Sequence, residues 1–165
     1  MKIISGGVCA PIGFKASGIH CGIRKNKTKK DLALIVSDVR ADAAAVYTTN
    51  LVKGAPLVVT KNNLNDGKAQ VIICNSGNAN TCNANGIEIA QDMCKLISAE
   101  LGINETDVIV GSTGVIGQPL DIEPIKNGIP SLVADLDSNG SQSAAEGIMT
   151  TDTKLKEIAL KFLFS

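Results

Sequence analysis

The stretch Asp107-Val108-Ile109-Val110-Gly111-Ser112-Thr113-Gly114-Val115-Ile116-Gly117 sets the strongest limit on what this chain can fold into. Residues 108–110 read as a short buried strand that empties into a loop of small residues. Gly111, Gly114 and Gly117 let the backbone turn tightly and approach a ligand closely. Ser112 and Thr113 add hydroxyls, and their small neighbours leave backbone N–H groups uncovered. Such a loop can offer hydrogen-bond donors to a developing negative charge. The same residues also suit a plain strand-to-loop turn with satisfied hydroxyls.

A buried strand needs a core around it, and 165 residues suffice for a single domain spanning 1–165. Apolar residues make up 44% and charged residues 19%, which argues against disorder. Aromatics are only 2%, so the core must be aliphatic, and stacking on bases or sugars is not this chain's method. Net charge is zero, and the basic cluster Arg24-Lys25-Asn26-Lys27-Thr28-Lys29-Lys30 has no interleaved aromatics. It reads as a solvated loop, and no nucleic-acid partner is expected. No apolar run approaches the ~20 residues that cross a bilayer, so no membrane is expected. The N-terminus lacks a signal peptide's apolar centre, which points to a cytoplasmic protein.

Cys9, Cys21, Cys74, Cys82 and Cys94 form no C-x-x-C pair and read as a reduced, buried or half-buried set. His20 is the single histidine, so neither a histidine triad nor a multi-histidine metal site can be built, and no metal is expected. A cysteine nucleophile needs an activating base, and the sequence nominates none.

Strands are expected over residues 14–23, 31–38, 43–48, 56–60, 69–74, 108–110 and 155–164, with 43–48 paired to 31–38 and one helical turn within 62–67. Residues 75–86, rich in asparagine, read as a loop, because Asn tolerates left-handed dihedrals and bonds its own backbone. The same carboxamides could line a polar pocket. The clearest helix covers 86–101, with Ile87, Ala90, Cys94, Ile97 and Leu101 on one stripe and Gly102 as its stop. A second starts at Asp121 and is divided near Gly128 and Pro130, and a third covers 141–149. Six or seven strands and three helices without strict βαβ alternation indicate a layered α/β (α+β) fold, its sheet mixed or antiparallel and sandwiched with helices.

Five motifs, in order, the second made of two segments, resemble the ornithine acetyltransferase (ArgJ) family, also known as glutamate N-acetyltransferases. They are Gly6-Gly7-Val8-Cys9-Ala10-Pro11-Ile12-Gly13-Phe14; Lys30-Asp31-Leu32-Ala33-Leu34-Ile35 with Ala45-Val46-Tyr47-Thr48-Thr49-Asn50; Asn75-Ser76-Gly77-Asn78-Ala79-Asn80; Ser112-Thr113-Gly114-Val115-Ile116-Gly117; and Ile148-Met149-Thr150-Thr151-Asp152-Thr153. The last two are the most specific. The resemblance implies a DmpA/ArgJ-like sandwich and a precursor that cleaves itself into two chains before a threonine. That threonine takes the acetyl group of N-acetylornithine and passes it to glutamate. The Thr113 hydroxyl and the Gly114 N–H match the family's oxyanion donors, and Thr150 matches a substrate-binding position. No cofactor is implied; acetyl-CoA is a possible substrate of bifunctional members.

This sequence stops at Ser165, before the family's G-x-A-K-G-S-G-M segment and its nucleophilic threonine. It therefore reads as the N-terminal α-chain portion, inactive alone and expecting the β-chain of the same precursor as partner. The competing readings are a non-catalytic binding or structural module that retains the acyl pocket, and a self-processing aminopeptidase of the same fold.

Overall fold

Leu32–Asp42 (β3) is the central strand of a computed structural model that describes residues 1–163. Its side chains alternate across the sheet: Leu32 and Leu34 are fully buried on one face and Ala33 is buried on the other. Phe14–Ile19 (β2) and Lys68–Asn78 (β4) flank it, both antiparallel. Val108–Val115 (β5) runs parallel to β4 and forms an edge of the four-stranded sheet β2-β3-β4-β5. The sheet is thus mixed, as the element pattern implies.

Three helices cover the leucine face: Ala55–Asn63 (α1), Gly86–Leu101 (α2) and Glu123–Ala134 (α3). Leu32, Leu34, Val71, Ile73, Val108 and Val110 of the sheet meet Val59, Met93, Ile97, Ile125, Ile129 and Leu132 of the helices in one aliphatic core. Full burial of each such side chain contributes about 1.5–3 kcal/mol. Ser141–Ile148 (α4) covers part of the opposite face, where Ala16, Ala33 and Ala144 form a smaller cluster. The approach is close: a Cβ on Gly18 would stand 2.0 Å from the Ser143 carbonyl oxygen, so only glycine fits there.

The helix at 86–101 has the predicted bounds, and Gly102 stops it in the left-handed region at φ 68°. Ile87 is not on its buried stripe; it is 48% exposed and Ile89 packs in the core instead.

Residues 56–60, expected as a strand, lie in α1. Pro56 sits in the first turn, where a missing N–H costs nothing. Tertiary demand overrides the β-branched run: α1 lies along the open edge of β5 and satisfies its backbone. The Thr60 hydroxyl donates to the Val110 carbonyl (2.9 Å) and accepts from the Val110 N–H (3.1 Å), while Asn63 Nδ2 donates to the Val108 carbonyl (2.8 Å). Thr60→Val keeps the shape but strands two buried backbone groups. It is expected to destabilise the chain by about 1–3 kcal/mol, read from a urea melt.

Residues 43–48 form no strand: β3 itself runs on to Asp42, its neighbours β2 and β4 take both its edges, and Val46 is 98% exposed. The expected turn within 62–67 is present at Leu64–Asp66. α3 is continuous through Gly128 and Pro130. Burial of Ile125, Ile129 and Leu132, about 1.5–3 kcal/mol each, outweighs the roughly 3 kcal/mol of an internal proline. The strand expected at 155–164 shrinks to Ala159–Lys161 (β6), with Phe164 outside the described residues. β6 pairs antiparallel with Lys2–Ile4 (β1), a strand that carries no alternation of its own. Among the described residues there are six strands and four α-helices.

Candidate active site

The small-residue segment after residue 110 continues β5 as far as Val115 rather than looping out. It does so because β4 also continues through Asn78, turning the first third of the expected asparagine loop into strand. The register pairs Asn75 with Ser112, Ser76 with Thr113, Gly77 with Gly114 and Asn78 with Val115. Asn75 and Ser112 face the helical core side, where the Ser112 hydroxyl donates to Asn75 Oδ1 at 2.5 Å. Ser76 and its partner Thr113 face the α4 side, and the Ser76 hydroxyl donates to the Gly147 carbonyl at 2.6 Å.

Gly77 and Gly114 have φ of +112° and +132°. A Cβ on Gly114 would lie 2.4 Å from the Gly77 carbonyl carbon and 2.6 Å from the Asn78 nitrogen. The two strands close on each other there with no room for a side chain.

Beside this pair opens a cleft of about 450 Å³, lined by Arg24, Gly77, Thr113, Gly114, Val115, Thr150 and Thr151. The three residues singled out from the sequence, Thr113, Gly114 and Thr150, therefore line one cleft. α4 delivers Thr150, which follows its C-terminal end. The Thr150 N–H donates to Asp152 Oδ2 at 3.4 Å. Hydrogen bonding to Lys156, helped by that N–H, holds the Asp152 carboxyl below the usual carboxylate range.

Asn75, Asn78 and Asn80 are structural in this fold, whereas Asn83 and Asn85 line a separate surface hollow. Asn75 and Asn80 are fully buried and Asn78 nearly so. Asn75 Nδ2 donates to the Asn78 carbonyl (2.9 Å), and Asn78 Nδ2 to the Gln118 and Pro119 carbonyls (3.0 and 3.2 Å). Asn80 Nδ2 donates to the Gly86 carbonyl at the start of α2 (2.8 Å). They tie the ends of β4, β5 and α2 together behind the cleft, and none of them lines it.

The cysteines are free, and Cys82 is exposed rather than half-buried. Burial pushes the Cys74 thiol up to about 11 and the Cys94 thiol to about 12; burial and then the nearby Asp31 carboxylate push Cys21 to about 12. These three remain thiols at neutral pH and are poor nucleophiles. Among the described residues no group of three His, Cys, Asp or Glu side chains is placed to hold a metal ion, and no helix is long and apolar enough to cross a membrane.

Sequence reasoning missed Arg24, which it assigned to a solvated basic cluster. The signal lay in Asp31, a carboxylate at the head of an apolar run, which is fully buried and accepts the Arg24 N–H at 2.9 Å.

A mixed sheet layered between helices, with a strand-end cleft of glycines and hydroxyls, defines the class: a layered α+β fold. The chain belongs to the ArgJ family, whose profile matches residues 15–164. It is 48% identical over 163 residues to the arginine biosynthesis bifunctional protein ArgJ of Caldanaerobacter subterraneus subsp. tengcongensis, and 44% identical over 164 residues to that of Bacillus anthracis. Each match takes in 98% of this chain but 40% of the relative, so the chain spans about two-fifths of the length of these curated relatives. The crystal structure of the Bacillus halodurans ArgJ protein is similar at TM-score 0.85 and 40% identity, over 93% of this chain and 82% of that one. The ornithine acetyltransferase of Mycobacterium tuberculosis, solved in complex with ornithine, is similar at TM-score 0.87 and 33% identity, over 93% and 84%.

Proposed function

We propose that this chain is the N-terminal part of an arginine-biosynthesis acetyltransferase that moves acetyl from N-acetylornithine to glutamate, releasing ornithine and N-acetylglutamate. The observation that carries the reading is the meeting of Thr113, Gly114 and Thr150 in one cleft. The attacking hydroxyl belongs to a threonine of the remainder, freed as a new N-terminus by self-cleavage; its own amine serves as base. Attack on the acetyl carbonyl makes a tetrahedral oxyanion, which the Thr113 hydroxyl and the Gly114 N–H stabilise, and collapse expels the ornithine amine. Glutamate then takes the acetyl group by the reverse steps. Acetyl-CoA could load the same threonine, and in this scheme it is a substrate rather than a resident cofactor. Thr150 holds the amino-acid part of the substrate beside the donors.

Two lengths support a two-chain enzyme. The chain covers 40% of the curated relatives but 82% and 84% of the solved polypeptides. The solved polypeptides are thus much shorter than those relatives, as cleavage of a precursor would make them. The opposite sheet face also fits a β-chain partner: α4 leaves an apolar hollow of about 260 Å³ that includes Ala33, Ile35, Ile72 and Cys74, with Ile72 40% exposed.

The chain alone is expected to yield no ornithine from N-acetylornithine and glutamate. Joined to the C-terminal remainder of the Caldanaerobacter relative, it is expected to yield ornithine and N-acetylglutamate in equal amounts. A folded, self-cleaved fusion that yields neither would contradict the reading.

A further inference from the structure

Arg24 is held in place more firmly than a surface arginine needs to be. Asp31, fully buried, accepts the backbone N–H groups of Cys21 (2.7 Å), Gly22 (3.3 Å) and Arg24 (2.9 Å), and His20 Nδ1 lies 3.1 Å from its Oδ2. The Asp31 carbonyl accepts the Ser76 N–H at 2.8 Å, which locks this turn to the end of β4. The Arg24 side chain then lies across Gly77: a Cβ there would stand 2.9 Å from Arg24 Cγ. Its Nη2 donates to the Met149 carbonyl, 125 residues away in sequence, immediately before Thr150. Its Nε is buried and meets no acceptor among the described residues. A guanidinium kept with an unmet buried donor is costly for stability, so its placement calls for another explanation.

We propose that Arg24 is a positioning residue of the cleft: it clamps the Met149 carbonyl across Gly77 and so fixes Thr150 opposite Thr113 and Gly114. The proposal rests on reading this cleft as the acyl-transfer site. Without the clamp, the segment after α4 would keep the Met149 N–H to the Glu146 carbonyl (3.3 Å) and the Asp152 turn, with the Ser76 hydroxyl holding only the end of α4 at the Gly147 carbonyl. Thr150 would then sample positions away from the donors. Substrate placement suffers first, while the oxyanion donors on β5 keep their own geometry from the β4 register.

The test uses the fusion with the Caldanaerobacter remainder. Arg24→Met keeps the stem and deletes the donors. It is expected to raise KM for N-acetylornithine roughly tenfold to a hundredfold, as the population of Thr150 in its substrate-holding position falls to about a tenth to a hundredth. Its kcat should change by less than about threefold, since the substrate contact assigned to Thr150 is made equally in ground and transition states. Arg24→Lys, which can still donate to the Met149 carbonyl, should recover part of that KM. Should Arg24→Met not fold, Arg24→Lys alone carries the test, and its KM must lie above the parent's at an unchanged melting temperature. An unchanged KM with a lowered melting temperature, or a kcat loss without a KM change, would overturn the proposal and leave Arg24 a packing residue or a catalytic one. Thr113→Val run in parallel separates the two levels. If Thr113→Val slows turnover and the Arg24 variants leave KM unmoved, the clamp is wrong; if neither variant has an effect, the cleft reading itself falls.

Discussion

Gly114→Ala is expected to destabilise the chain by about 2–6 kcal/mol, combining a backbone conformation that L-residues avoid with an overlap that forces backbone apart. The added methyl points at the backbone of β4, 2.4 Å from the Gly77 carbonyl carbon and 2.7 Å from its oxygen, at φ +132°. None of those atoms belongs to a flexible side chain, so β4 and β5 must separate where the cleft begins. The harm thus arises between the strands, before any ligand enters the cleft. Gly77→Ala offers the contrast. Its φ of +112° strains an L-residue too, but its methyl meets side-chain atoms, Arg24 Cγ at 2.9 Å and Ile23 Cγ2 at 3.2 Å, rather than backbone. It should be the milder of the two in a urea melt and should displace the Arg24 side chain. A Gly114→Ala chain that melts with the parent would show that the strands do not depend on this contact.

The parts of the fold legible in the sequence are those set by local signals. α2 is bounded by its apolar stripe and by Gly102, whose left-handed φ stops a helix without help from elsewhere. β3 and β4 announce themselves as apolar runs. α1 was hidden because its reason lies 50 residues on in sequence, in the unpaired edge of β5 that Thr60 satisfies. β1 was hidden because its partner β6 is at the other end of the described chain. In the cleft, Thr113, Gly114 and Thr150 were visible as motifs, and that they meet is a property of the parallel β4–β5 pair and of α4. Arg24 was misread because its side chain's partner, the Met149 carbonyl, lies 125 residues away in sequence, and the Asp31 cradle, though only 7 residues on, holds the Arg24 backbone in a turn that has no periodicity to read. For Asn75, Asn78 and Asn80, of the two readings that the sequence left open, backbone bonding holds: their side chains are spent on backbone carbonyls.

Thr113 offers the cleanest separation of chemistry from architecture. Its side chain is on the α4 face at the mouth of the cleft, and valine there is nearly isosteric. The neighbouring hydroxyls are committed elsewhere, Ser112 to Asn75 and Ser76 to the Gly147 carbonyl, so neither can replace it as a donor. In the fusion with the Caldanaerobacter remainder, Thr113→Val is expected to lower the acyl-transfer rate by roughly 10²–10³, or about 3–4 kcal/mol in the barrier. Ground-state affinity for N-acetylornithine should change far less, because the contact strengthens only as charge develops on the acyl oxygen. Single-turnover acetylation of the nucleophile, measured with the melting temperature on the same Thr113→Val protein, decides the matter. A rate down by two orders of magnitude at an unchanged melting temperature places the oxyanion in this cleft; a rate within about threefold of the parent contradicts it.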